Sequence, residues 1–291
     1  MRMSRFLAAT VLSLVISGLG CYADSIPVSS QLTPGSAAKK PLVSPTIARD
    51  ISKFELTYFH YDYKESVDLP AKSTETGWMP GIAFRSISPD SDDPAWRSML
   101  LELAIGNTAY NGSLQDGYGA YLRDYVGTTH NTFLIAELER GHKISKPGSP
   151  FVITPYIGLG IRDWKRDLRG DYGYAENYFL AYVPLGIKNE FRADRVSVGL
   201  DLSLRPMLFG LITVDQKVGG GSGMLGSTLG YKAEAPIKVQ LSDSFGMELR
   251  GWYEYSAIGH GNISTAGQVY AMEPDSRTHQ YGINLSGKFS Y

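Results

Sequence analysis

From residue 52 onward, apolar and polar side chains alternate with a period of two, and helical spacing is hard to find. Phe54, Leu56 and Tyr58 alternate with Glu55 and Thr57. Met99, Leu101, Leu103 and Ile105 alternate with Leu100, Glu102, Ala104 and Gly106. The same pattern runs through Ile153–Ile161, Phe179–Ile187, Val198–Leu204, Tyr231–Val239 and Met247–Tyr255. One face is apolar and the other charged or small, which is the pattern of a pleated strand. Ten segments follow: 52–64, 75–88, 97–110, 129–143, 150–164, 175–190, 196–209, 226–240, 245–257 and 277–291. Short turns after Ser88, His142, Glu190 and Gln240 alternate with longer connections at 65–74, 111–128, 165–174, 210–225 and 258–276. That asymmetry is expected of an up-and-down antiparallel transmembrane β-barrel.

Alternation alone also fits a soluble sandwich or a lipocalin-like barrel. Length decides between them. A tilted strand needs about 9–11 residues to cross the hydrocarbon, and soluble strands usually have about five or six. Aromatics also gather near segment ends, at Tyr58, Trp78, Tyr110, Trp164, Tyr178 and Tyr255, where an interfacial girdle is expected. Backbone groups in lipid find no water, so such a sheet must close on itself. The expected fold class is all-β with ten strands, eight and twelve being the alternatives.

The N-terminus reads differently. Arg2 and Arg5 precede the apolar run Phe6–Ile16, and Cys21-Tyr22-Ala23 fits a small-x-small cleavage site. Residues 1–23 are therefore expected to be a secretory signal peptide. The rival is a lipoprotein signal cut before Cys21, although Gly18 stands where that signal usually has Leu. Residues 24–50 are rich in Pro and Ser, have no period, and read as a periplasmic linker. The barrel then occupies 51–291.

Composition narrows the function. The chain is 43% apolar, with 28 Lys+Arg against 29 Asp+Glu and one Cys. A near-neutral balance offers no basic footprint for nucleic acid. One cysteine excludes a disulfide scaffold. The charges of the barrel fall on the inward face: Glu102, Glu137, Arg162, Lys188, Asp201, Arg205, Lys232, Glu234, Arg250 and Glu254, joined by Glu55, Arg85, Glu139 and Glu248. Buried charges must pair, so an interior salt-bridge network that closes the lumen is expected, a narrow polar pore being the alternative. Gly158, Gly160, Gly186 and Gly199 would clear space for neighbours such as Tyr156 and Tyr182.

At the C-terminus, Tyr281, Ile283, Leu285, Gly287, Phe289 and Tyr291 share one face, and the last residue is aromatic. This resembles the terminal strand of Gram-negative outer-membrane proteins. Thr154-Pro-Tyr-Ile-Gly-Leu-Gly-Ile161 and Tyr182-Val-Pro-Leu-Gly-Ile187 are similar to strands of small OmpA-like and opacity-type barrels. The resemblance covers 52–291 as a pattern. It implies the cell outer membrane as location, lipid and lipopolysaccharide as surroundings, the barrel-assembly machinery as a biogenesis partner, and an extracellular ligand or host surface at the loops.

Ten strands is also the size of the omptin proteases, whose site pairs Asp with Asp and Asp with His at the extracellular rim. That pattern is not met. Asp90-Ser-Asp-Asp93 falls in a short turn, and 210–225 has Asp215 but no His. His260 and Ser264 would be candidates for a lipid A-modifying hydrolase, at unremarkable spacing. His60, His130, His142, His260 and His279 are dispersed and lack metal-ligand spacing. Gly219-Gly-Gly-Ser-Gly223 lacks the Lys-Ser/Thr of a phosphate loop and reads as a loop tip. No catalytic residue, metal or cofactor is assigned. The expected function is an integral outer-membrane protein of structural or surface-binding type; a narrow porin and an outer-membrane hydrolase are the alternatives. Deleting Tyr291 should impair assembly; normal heat-modifiable gel migration of that variant would count against an assembly role for the C-terminus.

Overall fold

The computed structural model describes residues 51–291 apart from 68–69, 89–93, 116–119, 147, 216, 218, 266–267 and 291. The expected signal peptide, Cys21, the linker, the Asp90–Asp93 cluster and Tyr291 lie outside the described residues.

The chain is antiparallel β throughout. In order the strands are β1 (Ile51–Glu65), β2 (Ser73–Ser88), β3 (Ala95–Gln115), β4 (Tyr121–His142), β5 (Phe151–Leu168), β6 (Ala175–Tyr182) and β7 (Leu185–Ala193). There follow β8 (Val196–Val214), β9 (Gly221–Met224), β10 (Leu229–Gln240), β11 (Phe245–Ile258), β12 (Gly261–Thr265), β13 (Gln268–Glu273) and β14 (Ser276–Ser290). Strands β1 to β5 pair in sequence. Next, β6 and β7 together form one rail between β5 and β8. The ring continues through β10, β11 and β14. It closes where β14 pairs with β1, from Ile51↔Ser290 to Glu65↔Ser276. Among the described residues, ten rails make the ring.

The single expected segment 175–190 is two strands. Pro184 has no N–H, and the ladder breaks at Val183–Pro184 before resuming in β7. The Val183 amide is satisfied by the Pro206 carbonyl at 3.0 Å. Expected loops are also corrected. Much of 111–128 is strand, because β3 runs to Gln115 and β4 starts at Tyr121. Segments 210–225 and 258–276 hold the end of β8 and the arms β9, β12 and β13, and Gly221–Gly223 is strand rather than loop tip. The physical reason is that these arms carry Asn, Thr, Ser and Gly, so no apolar period announces them.

The outer wall is apolar over a band. Phe54, Leu56, Leu202, Leu204, Ile283, Leu285 and Phe289 are exposed large hydrophobics on that face. Aromatics border it. Tyr58 and Trp78 stack at 5.0 Å, with Tyr231 and Tyr255 at 5.1 Å, toward the long-loop end. Phe54–Phe84, Phe245–Phe289 and Phe151–Phe191 pair toward the short-turn end. Tyr110, Trp164 and Tyr178 correct the girdle expectation: all three are buried inside the barrel. Above Tyr58 and Trp78 the outer face turns polar, with Asp62 and Lys64 exposed, while the inner face takes Tyr61 and Tyr63. The strands have left the lipid there, and the usual wet-outside, apolar-inside preference returns.

Glycines set how closely lumen side chains approach the wall. A Cβ on Gly160 would lie 2.4 Å from the Tyr182 ring, and one on Gly186 2.4 Å from the Tyr156 ring. At Gly158 the obstacle is backbone, the Leu138 carbonyl oxygen at 2.4 Å. At Gly199 it is the Asn189 carbonyl oxygen at 3.0 Å. Gly158→Ala should therefore destabilise the barrel by about 1–3 kcal/mol, the range for overpacking. Urea unfolding in detergent checks this; an unchanged midpoint would refute it.

Candidate functional site

The lumen is filled in layers. Nearest the short turns lies an ionic layer. Arg250 reaches Glu55 at 2.6 Å and Glu234 at 3.1 Å, and Arg85 also bonds Glu55 at 3.2 Å. Lys53 pairs with Glu248, and Lys232 with Glu234 at 3.2 Å. Lys188 bonds Asp201 at 2.7 Å and Glu139 at 3.2 Å, with Tyr156 donating to Asp201 at 2.8 Å.

The next layer bridges the lumen. Arg205 on β8 reaches Glu137 on β4 through two nitrogens, at 2.8 and 3.2 Å, and Tyr182 donates to the same carboxylate at 2.6 Å. Arg162 on β5 pairs with Glu254 on β11, four rails away. All ten charges assigned from sequence point into the lumen, and nine of them make ion pairs. Glu102 faces the same small void as Lys232 and makes no direct ion pair among the described residues. Removing one partner of such a buried pair leaves the other as an uncompensated buried charge.

Above the charges sits an aromatic and apolar cluster that sequence reasoning missed. Phe133 and Trp164 stack with centroids 5.5 Å apart, and Trp164 stacks on Tyr178 at 4.5 Å. Tyr61 on β1 meets Trp164 on β5 at 6.0 Å, so rings from non-neighbouring rails touch inside the barrel. Met79, Leu180, Ile212 and Ile263 complete the cluster. Trp164 donates its indole N–H to Asn131 at 2.7 Å. The signal was present in the sequence as a change of sign in the alternation at Phe59 and at Asp163-Trp-Lys-Arg166.

At the long-loop mouth, four carboxylates surround one guanidinium. Arg166 bonds Glu75 at 2.5 Å, Glu176 at 2.6 Å and Glu65 at 3.3 Å. Its guanidinium lies over Tyr63 at 5.0 Å. Glu75 also accepts from Thr108, Thr129 and Asn131 at 3.0–3.3 Å. Glu273, in the arm strand β13, accepts from Tyr178 at 2.8 Å and reaches no cation among the described residues. Burial, then the nearby Glu176 and Glu65 carboxylates, push Glu273 well above the usual carboxylate range.

The histidines sit apart. His60 contacts Thr76 at 3.1 Å, His130 contacts Asn107 at 2.9 Å, and His279 contacts Tyr253 at 2.8 Å. His260 and Asp275 approach to 3.4 Å, both exposed. Among the described residues, no group of three or more His, Cys, Asp or Glu could hold a metal ion. On the last strand, Tyr281, Ile283, Leu285, Gly287 and Phe289 share the outer face.

No protein-family model matches the sequence, and no curated protein matches it. Solved structures do. The outer membrane protease OmpT of Escherichia coli aligns with a TM-score of 0.61 at 10% identity, over 86% of this chain and 99% of that one. The Pseudomonas putida toluene transporter TodX aligns with a TM-score of 0.34 at 8% identity, over 83% of this chain and 89% of that one. Neisserial surface protein A gives 0.28 at 11% identity, over 82% and 97%. The likeness to OmpT is one of fold, that of an outer-membrane β-barrel.

A pH dependence follows from Glu273. With its carboxyl raised, the docked arm binds a proton that the undocked arm releases. That contribution is complete below the ordinary glutamate value and is lost as pH rises through it toward the raised value. Hydrogen exchange of Gly261–Thr265 and Gln268–Glu273 should be slower at acid pH than at alkaline pH beyond the intrinsic rate change. Glu273→Gln should flatten the difference; an unchanged profile would refute the assignment.

Proposed function

We propose that this chain is an integral outer-membrane protein with a closed lumen, whose long-loop arms form a binding surface outside the cell. The observation that carries the closed lumen is the aromatic and apolar layer between two ionic ones. A solute moving along the axis would have to part Trp164 from its neighbours and break the Arg205–Glu137 and Arg162–Glu254 bridges. Unpairing such charges costs several kcal/mol each.

Support for the binding surface comes from the arms. Strands β3 and β4 have 21 and 22 residues, about twice the crossing length. Leu122, Val126 and Tyr172 are exposed there, beside the Lys72–Asp124 pair at 2.9 Å. A protein that only sealed a membrane would gain nothing from exposing apolar side chains in water. The reading is non-enzymatic. The mouth carboxylates Glu65, Glu75 and Glu176 bond Arg166 instead of a histidine.

Planar bilayer recording tests the closed lumen. The natural protein should give no steady current, and discrete conductance steps should appear when Tyr61→Ala and Trp164→Ala are combined with Arg162→Ala and Arg205→Ala, which remove the bridges as well. A steady current through the natural protein would overturn the reading.

A further inference from the structure

On the outer wall, near the short-turn end, two arginines face each other. Arg97 on β3 and Arg140 on β4 are directly opposed across the ladder, and both are exposed. Side chains so placed have Cβ atoms about 4.5–5.5 Å apart, and like charges there repel. Among the described residues neither guanidinium makes an ion pair. Glu139, next to Arg140 in the chain, points into the lumen and bonds Lys188 at 3.2 Å. The lumen pairs its charges, so a facing cation pair on the outer wall calls for an anion from the surroundings.

The two arginines border an open groove of about 360 Å³. Pairing shows how the groove is layered. One rung, Ser88–Arg97–Arg140–Ile157, crosses from β2 to β5. The next outward rung toward the long-loop end is Ser86–Met99–Leu138–Leu159. Leu138, Ile157 and Leu159 are exposed large hydrophobics. The cations therefore stand on the turn side of an apolar strip, with the hydroxyls of Ser86 and Ser88 beside them. A phospholipid has the same order, with phosphate at the interface and acyl chains beneath.

We infer that this groove binds an anionic phospholipid of the leaflet on the short-turn side. The phosphate sits between Arg97 and Arg140, and the chains run along Met99, Leu138 and Leu159. Guanidinium forks match phosphate oxygens in pairs, which a single ammonium cannot do. The anion also removes the repulsion across the rung. A free phosphate would meet the same two cations and gain nothing from the apolar strip, so the occupant is a lipid. The site rests on the barrel fold and requires neither the closed lumen nor the binding arms.

Native mass spectrometry of the full chain, released from neutral detergent with phosphatidylglycerol as the probe, tests the proposal. One saturable lipid adduct is expected. Arg97→Gln combined with Arg140→Gln should weaken it by about tenfold or more, as the charge-assisted bonds to phosphate are lost. Arg277→Gln, which removes an exposed cation at the long-loop end, should leave it unchanged. Heat-modifiable migration confirms that each variant is folded. Diacylglycerol lacks the phosphate and glycerol phosphate lacks the chains, so each should bind more weakly than the whole lipid. Equal binding of diacylglycerol would make the groove an apolar contact, and equal binding of glycerol phosphate would make it a free-anion site; either overturns the proposal. Urea unfolding gives a second readout. Arg140→Gln alone should raise the midpoint in neutral detergent, where the repulsion is uncompensated, and added phosphatidylglycerol should abolish that gain. A double variant that keeps the adduct, or a midpoint gain that the lipid leaves intact, also overturns it.

Discussion

The structure depends on one seam. Strands β14 and β1 come from opposite ends of the barrel sequence and pair over fifteen registered positions, from Ile51↔Ser290 to Glu65↔Ser276. In hydrocarbon an unpaired amide or carbonyl costs several kcal/mol, and an open sheet edge would expose a row of them. Closure is therefore the condition for the remaining ring pairings to exist in a membrane. Because side chains alternate, closure also decides the fate of every second residue. Leu285 and Leu56, opposed across the seam, both face out, while Ser286 and Glu55 both face in.

The inward set then has to solve a packing problem. Ten rails enclose a space narrow enough for long side chains to meet in the middle. The chain fills that space in two ways. Where the outer face is in lipid, the inner face is ionic, and arginines on β5, β8 and β11 reach carboxylates on other rails. Where the outer face is wet, the inner face is aromatic, and Phe133, Trp164 and Tyr178 stack. The change occurs at one level, near Tyr58 and Trp78, and the same chain behaves as a membrane barrel below it and a soluble one above.

Charge is also concentrated at the long-loop mouth, where among the described residues four carboxylates gather about one guanidinium. Glu273, buried beside Glu176 and held by Tyr178, is the clearest cost of that arrangement.

The sequence by itself determined the strands that cross lipid. Their period of two is written by the solvents on each side, so Phe54-Glu-Leu-Thr-Tyr58 and Val198–Leu204 could be read residue by residue. It also determined which charges face inward, since parity follows from the pleat. It did not reveal the arms at 111–128 and 258–276, whose polar residues have no contrast between faces. Nor did it place Trp164 and Tyr178, since an aromatic near a strand end suits a girdle as well as a core. Only the tertiary structure decided which charge meets which. Arg162 and Glu254 are 92 positions apart, and their meeting depends on how far each rail is staggered against the next. Stagger is set by ring closure, a property of all the strands together, and no local pattern carries it.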